Sequence, residues 1–273
     1  MNAELNGPTK LTLGDAKIAR IGLGTNRLTN TPANIAFVKE AVAAGIGMID
    51  TAYTYTGGES EETIGAALDP DPDPDPDRCV VATKGGGGGP GGGRPEILHA
   101  EIEESLRRLR TNSIALYYLH RVDPETPLEE SLAAIKQDRD RGKIRHVGVS
   151  NVSIDEIERA RGVVPIAAVQ NHYNLSERKH EAVIDYCERE NIVFVPYFPL
   201  RGVGGRVLAE IAARHGATPA QIALAWLLRR SPVMLPIPGT LSLEHLKENV
   251  AALQIGLTDE EFDSLGRATY SLH

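Results

Sequence analysis

Asp50, Tyr55, Lys84 and His120 are side chains of types that can move a proton between them. A tyrosine at its reference pKa of ~10 is a poor acid–base group at neutral pH. A lysine ammonium close by favours the phenolate and lowers that value. An aspartate paired with the lysine keeps it charged and aimed. A histidine at the same spot can donate a hydrogen bond to a carbonyl oxygen and orient it. Taken singly, each residue has a plainer use. Asp50 suits a cap of the next segment, Lys84 a solvated strand end, Tyr55 a loop aromatic and His120 a hydrogen-bonded structural histidine. Their setting gives them joint weight. Asp50, Lys84 and His120 each close a short apolar run, and Tyr55 follows in the loop after the first of these.

The apolar runs alternate with amphipathic stretches along the whole chain. Strands are expected at Arg20–Gly24, Gly47–Asp50, Cys79–Lys84, Ile114–His120, Ile144–Ser150, Ile166–Gln170, Ile192–Tyr197 and Val233–Ile237. Their length and β-branched content suit strands buried on both faces. Helical patterns fill the gaps: Ala33–Ala44, Glu59–Leu68, Arg94–Leu109, Pro127–Arg141, Ser153–Arg161, Ser176–Glu190, Gly205–Arg230 (two helices, broken near Thr218) and Ser242–Leu253. Thr-Pro pairs at 31–32, 126–127 and 218–219 read as helix starts, and Gly45 and Gly142 as helix ends. Eight strands, each followed by helix, predict an α/β fold, a closed (β/α)8 TIM barrel. Leu11–Leu13 and Lys17–Arg20 turn at Gly14-Asp15 and read as an N-terminal β-hairpin that plugs the bottom of the barrel. The competing fold is a doubly wound open sheet. Its G-x-G-x-x-G fingerprint is matched only near Gly202–Val207, where the third glycine is missing. In a closed barrel the site lies at the carboxyl ends of the strands. The other strand ends there carry Ser150-Asn151, Gln170-Asn171, Tyr197 and Gly239-Thr240.

The chain has 273 residues, and residues 1–273 are expected to form one domain. Hydrophobic residues make up 41% and charged residues 24%, which excludes a disordered or fibrous chain. With 29 Lys and Arg against 37 Asp and Glu, the net charge is −8, which opposes nucleic acid or an anionic membrane as the main partner. No apolar run approaches the ~20 residues of a membrane span, and MNAELNGPTK lacks the apolar stretch of a signal peptide. Two cysteines, Cys79 and Cys187, make no disulfide framework, and no metal-ligand spacing is present. A reducing, cytoplasmic setting and no metal are expected. Two segments stand out. Asp69–Asp77 alternates acid with proline and reads as an extended solvated loop. Gly85–Gly93 reads GGGGGPGGG, lacks the G-K-[ST] ending of a phosphate loop, and is expected to be mobile.

Six ordered segments carry a resemblance: IDTAYTY at 49–55, ATK at 82–84, YYLH at 117–120, VGVSN at 147–151, VQN at 169–171 and IPGT at 237–240. Together they closely resemble the aldo-keto reductase superfamily, over about Leu11 to Leu265. The resemblance implies a barrel oxidoreductase that uses NADPH, with NADH as the alternative, to reduce an aldehyde or ketone. It implies a catalytic tetrad of Asp50, Tyr55, Lys84 and His120, with Tyr55 the general acid in reduction. It also implies that Ser150, Asn151 and Gln170 hold the nicotinamide carboxamide, that Tyr197 stacks on the ring, and that Gly24 and Thr25 lie near the cofactor. Gly239, Thr240, Ser242, His245, Glu248 and Asn249 would face the adenosine end.

The chain departs from the family in ways that bear on substrate and nucleotide. The loop after Tyr197 is short, Leu28-Thr29-Asn30 offers no aromatic, and glycines follow Lys84 where bulkier residues are usual. Gly239 replaces a common lysine and His245 a common arginine. Thr240, Ser242 and the amides at a helix start remain to grip a phosphate, with His245 adding charge when protonated. A monomer acting on a small molecule is expected. Two other functions compete: a catalytically weak, cofactor-binding regulatory subunit of the same fold, and a sugar-phosphate lyase or isomerase. The intact tetrad opposes the first. The second lacks a carboxylate base or Schiff-base lysine in its expected place.

Overall fold

The computed structural model describes residues 7–69 and 79–268. Most of the Asp-Pro run therefore lies outside the described residues.

The chain opens with an antiparallel hairpin, β1 (Lys10–Leu13) and β2 (Ala16–Ala19), which turns at Gly14 with φ +61°. Alternation along both strands points Leu11, Leu13, Ala16 and Ile18 to one face. That face packs against Met48, Val80, Leu116, Tyr118, Ala168 and Val193, which fill the barrel interior. The hairpin thus plugs the amino-terminal end of the strands, as expected. Its tip is tied across the floor by Asp15, whose carboxylate lies 2.7 Å from His146 Nε2.

Seven parallel strands follow in sequential order: β3 (Gly22–Gly24), β4 (Met48–Asp50), β5 (Val80–Gly85), β6 (Ile114–Leu119), β7 (Ile144–Ser150), β8 (Ile166–His172) and β9 (Val193–Tyr197). The sheet curls until its two edges face each other across residues 233–239. This segment was expected to be an eighth regular strand, and it is not. It bridges β9 at Phe194–Met234 and β3 at Gly24–Gly239. Pro236 and Pro238 lack an N–H, so they only accept: Gly22 N donates to Pro236 O at 2.9 Å and Gly24 N to Pro238 O at 3.3 Å. The barrel therefore closes on a few bonds rather than a full ladder. Arg20 reinforces the seam from below, donating to the carbonyls of Pro8, Leu228, Ser231 and Met234.

Helices wrap the outside: α1 (Pro32–Ala43), α2 (Glu59–Leu68), α3 (Pro95–Leu109), α4 (Leu128–Asp140), α5 (Ile154–Arg161), α6 (Glu181–Arg189), α7 (Arg206–His215), α8 (Pro219–Arg230), α9 (Leu243–Ala251) and α10 (Asp259–Arg267). Thr31 and Thr218 cap α1 and α8 as their Thr-Pro pairs predict. Thr126 does not cap α4. Its hydroxyl donates instead to Asp123 Oδ2 at 2.7 Å. Gly45 and Gly142 adopt φ of +90° and +82°, the left-handed geometry that ends a helix. The sequence reading left α10 out, although Thr258 and Glu261 form a capping box at its start.

The glycine run departs from expectation. Rather than lying loose, it is bonded to side chains distant in sequence. Gly91 N donates to Asp123 Oδ1 and Gly93 N to Asp123 Oδ2, each at 2.9 Å. Gly86 N donates to Glu101 Oε2 at 2.7 Å, and Ser131 Oγ donates to Gly93 O at 2.7 Å. Gly86, Gly89 and Gly91 take φ of +77°, +105° and +82°, which side-chain-bearing residues rarely adopt. Glycine here permits a tight path rather than mobility.

Candidate active site

Asp50 is the last residue of β4 and Lys84 the fifth of β5, so adjacent parallel strands carry both side chains to the same rim. Lys84 Nζ donates to Asp50 Oδ1 at 2.6 Å, to Thr51 O at 2.7 Å and to the Tyr55 hydroxyl at 3.4 Å. The three donors of the ammonium are thereby used. The second oxygen of Asp50 accepts from Gln170 Nε2 at 2.8 Å. Tyr55 is aimed by a short turn after β4. Tyr53 N donates to Lys84 O at 2.9 Å and Tyr55 N to Ala52 O at 3.0 Å. Thr56 and Gly57 then take left-handed φ of 49° and 67°, which swings the chain into α2.

His120 follows β6. Its N–H donates to Gly85 O at 2.8 Å, and its carbonyl accepts from Asn151 Nδ2 at 3.1 Å. The ring meets that of Tyr55 edge-on, with centroids 6.0 Å apart. Its Nδ1 is buried without a hydrogen-bond partner. Burial above all, with the charges of Lys84 and Arg121, pushes the imidazole pKa down to about 3, so the ring is neutral near pH 7. Burial raises the Tyr55 phenol above its ordinary value, more than Lys84 lowers it. The lowering expected from Lys84 is real but is not the net result. Burial works against the Lys84 ammonium, yet Asp50 and Tyr55 outweigh it and hold its pKa above the usual lysine value. A protonated phenol beside a fixed cation and a neutral imidazole can give a proton to a carbonyl oxygen.

These groups open into a cavity of about 840 Å³. Gly24, Thr25, Asp50, Tyr55, His120, Ser150, Asn151, Gln170, Tyr197 and Gly239 line it, joining residues the sequence scatters over 216 positions. Thr25 turns its hydroxyl away, to Asp50 O at 2.9 Å and to the Ser60 hydroxyl at 2.8 Å. Gly24 and Gly239 keep the backbone close. A Cβ on Gly24 would sit 2.9 Å from Ile237 O. Tyr197 stacks on His172 at 5.1 Å and donates to Asn151 Oδ1 at 2.8 Å, which sets its ring as a flat wall of the cavity. Thr240 lines a small adjoining depression. Ser242, His245, Glu248 and Asn249 stand outside both, on or just before α9. The Ser242 hydroxyl accepts from His245 N at 3.3 Å and caps that helix. The sequence reading missed three arginines of the wall: Arg27, Arg121 and Arg201. Arg121 was within reach, since it directly follows His120 at a strand end.

A rim-mounted Asp–Lys–Tyr–His group in a parallel barrel defines a class, the barrel oxidoreductases. The model of the aldo/keto reductase family matches residues 20–206 and 204–269, and the chain belongs to that family. An uncharacterised oxidoreductase of Schizosaccharomyces pombe is 39% identical over 272 residues, covering 93% of this chain and 87% of that protein. Pyridoxine 4-dehydrogenase of Escherichia coli is 33% identical over 274 residues, covering 93% and 96%. Among solved structures, a thermostable aldo-keto reductase bound to the inhibitor epalrestat superposes with a TM-score of 0.85 at 34% identity, over 94% of this chain and 98% of its own. An aldo/keto reductase of Klebsiella pneumoniae, crystallised with NADP and acetate, gives 0.84 at 30% identity, over 95% and 94%.

Proposed function

We propose that this protein reduces an aldehyde or ketone to an alcohol at the expense of NADPH. The observation that carries the reading is the convergence of Asp50, Tyr55 and His120 on one cavity wall, with Lys84 buried behind it and bonded to Asp50 and Tyr55. The residues fit a nicotinamide nucleotide. Tyr197 offers a flat aromatic face, Ser150, Asn151 and Gln170 offer hydroxyl and amide groups beside it, and Gly24 and Gly239 leave room for close approach. Asn151 and Gln170 already hold Tyr197 and Asp50, so binding a carboxamide means exchanging these partners. Thr240, Ser242 and the first turn of α9, with His245, Glu248 and Asn249, would meet the adenosine end, and a phosphate there favours NADPH over NADH. The Klebsiella relatives solved with NADP and with NADPH support that choice.

NADPH, when bound, supplies a hydride to the carbonyl carbon. The Tyr55 hydroxyl gives its proton to the carbonyl oxygen. Lys84 stabilises the phenolate left behind, and Asp50 holds Lys84 in place. Neutral His120 donates a hydrogen bond that orients the carbonyl. Solvent protons then restore Tyr55.

Loss of reduced-nicotinamide absorbance with a panel of aldehydes and ketones, pyridoxal included, tests the reading. The expected result is turnover with NADPH above that with NADH. Tight NADPH binding without turnover of any panel member would instead favour the regulatory subunit.

A further inference from the structure

The cavity has a charge pattern that the proton-transfer group does not require. Arg27, Arg121 and Arg201 line it, although the chain as a whole carries −8. Among the described residues none of the three forms an ion pair with a carboxylate. Asp50 is the one lining carboxylate among the described residues, and it is already committed to Lys84 and Gln170. An arginine left without a protein anion at a cavity wall is placed to meet an anion that arrives from outside.

The three arginines divide by position. Arg27 and Arg201 follow β3 and β9, beside Gly24, Thr25 and Tyr197, and Arg27 also borders the depression that holds Thr240. These are the elements given above to the nucleotide, whose own phosphates account for cations there. Arg121 follows β6, next to His120, and the proton-transfer residues come from β4, β5 and β6. It shares the cavity lining with His120, which the reading above puts on the carbonyl, and with Tyr197, which it puts on the nicotinamide, and its charge reaches both.

We propose that Arg121 is a specificity residue that binds a carboxylate carried by the carbonyl substrate. The proposal rests on the reductase reading and narrows its substrate class to carbonyl compounds that bear an anionic group. A planar fork matches the two oxygens of a carboxylate bidentately.

The test compares 4-carboxybenzaldehyde with the neutral methyl 4-formylbenzoate, using wild type, Arg121→Gln and Arg121→Lys. Wild type is expected to favour the carboxylate by about tenfold or more in kcat/KM, expressed in KM and weakened by salt. Arg121→Gln should lose that preference while keeping its rate on the ester, and Arg121→Lys should keep part of it. NADPH affinity, read by fluorescence titration, should be unchanged in both variants. Equal use of both aldehydes by wild type overturns the proposal and leaves the reductase reading standing. A preference that survives in Arg121→Gln also overturns it, and so does an equal loss of NADPH affinity, which would assign Arg121 to the nucleotide. If neither aldehyde is reduced, calorimetry with 4-(hydroxymethyl)benzoate and its methyl ester decides alone. Binding of the carboxylate that is lost in Arg121→Gln would overturn the substrate proposal while keeping Arg121 as a carboxylate-binding residue, and equal binding ends both.

Discussion

Gly87 stands so close to His120 that a Cβ at position 87 would lie 2.6 Å from Nδ1 of the ring. Real side chains do not approach so closely, and this ring is packed in place, so one of the two must move. The absence of a side chain at 87 therefore leaves the space that the imidazole occupies. Gly88, one residue on, has nothing within 4 Å of its own Cβ position. Gly87→Ala should lower kcat/KM for carbonyl reduction by about tenfold or more through a displaced ring, while Gly88→Ala leaves it near wild type. Steady-state kinetics on both variants check this. Equal, near-normal rates would mean that the ring position is not critical.

Tyr55→Phe keeps the ring and removes the proton. Positioned general acid catalysis is worth ~10²–10⁴-fold, so kcat for reduction should fall by that range while NADPH still binds. Tyr53 is the control, since its ring packs 4.6 Å from the Arg108 guanidinium. Tyr53→Phe should be mild. The phenol pKa raised by burial keeps the donor protonated through neutral pH, so the wild-type rate of reduction should show no alkaline loss attributable to Tyr55 below about pH 10.

Lys84 and Asp50 are 1% and 3% exposed, so removing one strands the other's charge. Lys84→Met should cost about 3–5 kcal/mol of folding stability in urea titrations. Adding Asp50→Asn to that variant should recover part of the loss, because the stranded charge is then gone. A double variant less stable than Lys84→Met would show that the pair's charge balance is not what matters.

His120 ties stability to acid. Its folded pKa of about 3 lies below the ordinary ~6.5 of an unfolded chain. Between those values the unfolded state binds the extra proton, so this contribution is fully present above about pH 6.5 and declines as pH falls towards 3. From about pH 7 to about pH 5 the loss should reach up to ~2 kcal/mol. His120→Gln should flatten that part of the stability curve relative to wild type. Parallel curves for the two proteins would place the imidazole in water.

The elements that were legible in the sequence are those set by local chemistry. Buried apolar runs marked β3 to β9 within a few residues, and the Thr-Pro pair at 218–219 marked α8. The tetrad was legible because parallel strands bring their carboxyl ends to one rim, whatever the loops between them do. What the sequence concealed depends on long-range partners. Nothing near Gly91 announces that Asp123 will bind it, and nothing near Gln170 announces Asp50, 120 positions away. The run at 233–237 has the apolar content of a strand and Leu235 N donates to Phe194 O of β9, but toward β3 Pro236 and the following Pro238 leave it only accepting. The arginines of the cavity wall were hidden for another reason: an exposed arginine in a loop looks the same in sequence whether it faces solvent or a pocket.

The proline seam also sets a timetable for synthesis. The chain leaves the ribosome amino terminus first, so all seven strands emerge before residues 233–239. Until then β3 and β9 are unpaired edges, open to any strand of another nascent chain. Closure joins Gly22 to Pro236 and so waits for most of the polypeptide to be made. Arg20, fully buried in the finished molecule, must wait as a bare cation for Leu228, Ser231 and Met234 to arrive. The last quarter of the chain thus acts as the clasp of the barrel, and a polypeptide truncated before it would carry all of Asp50, Tyr55, Lys84 and His120 on a sheet that cannot shut.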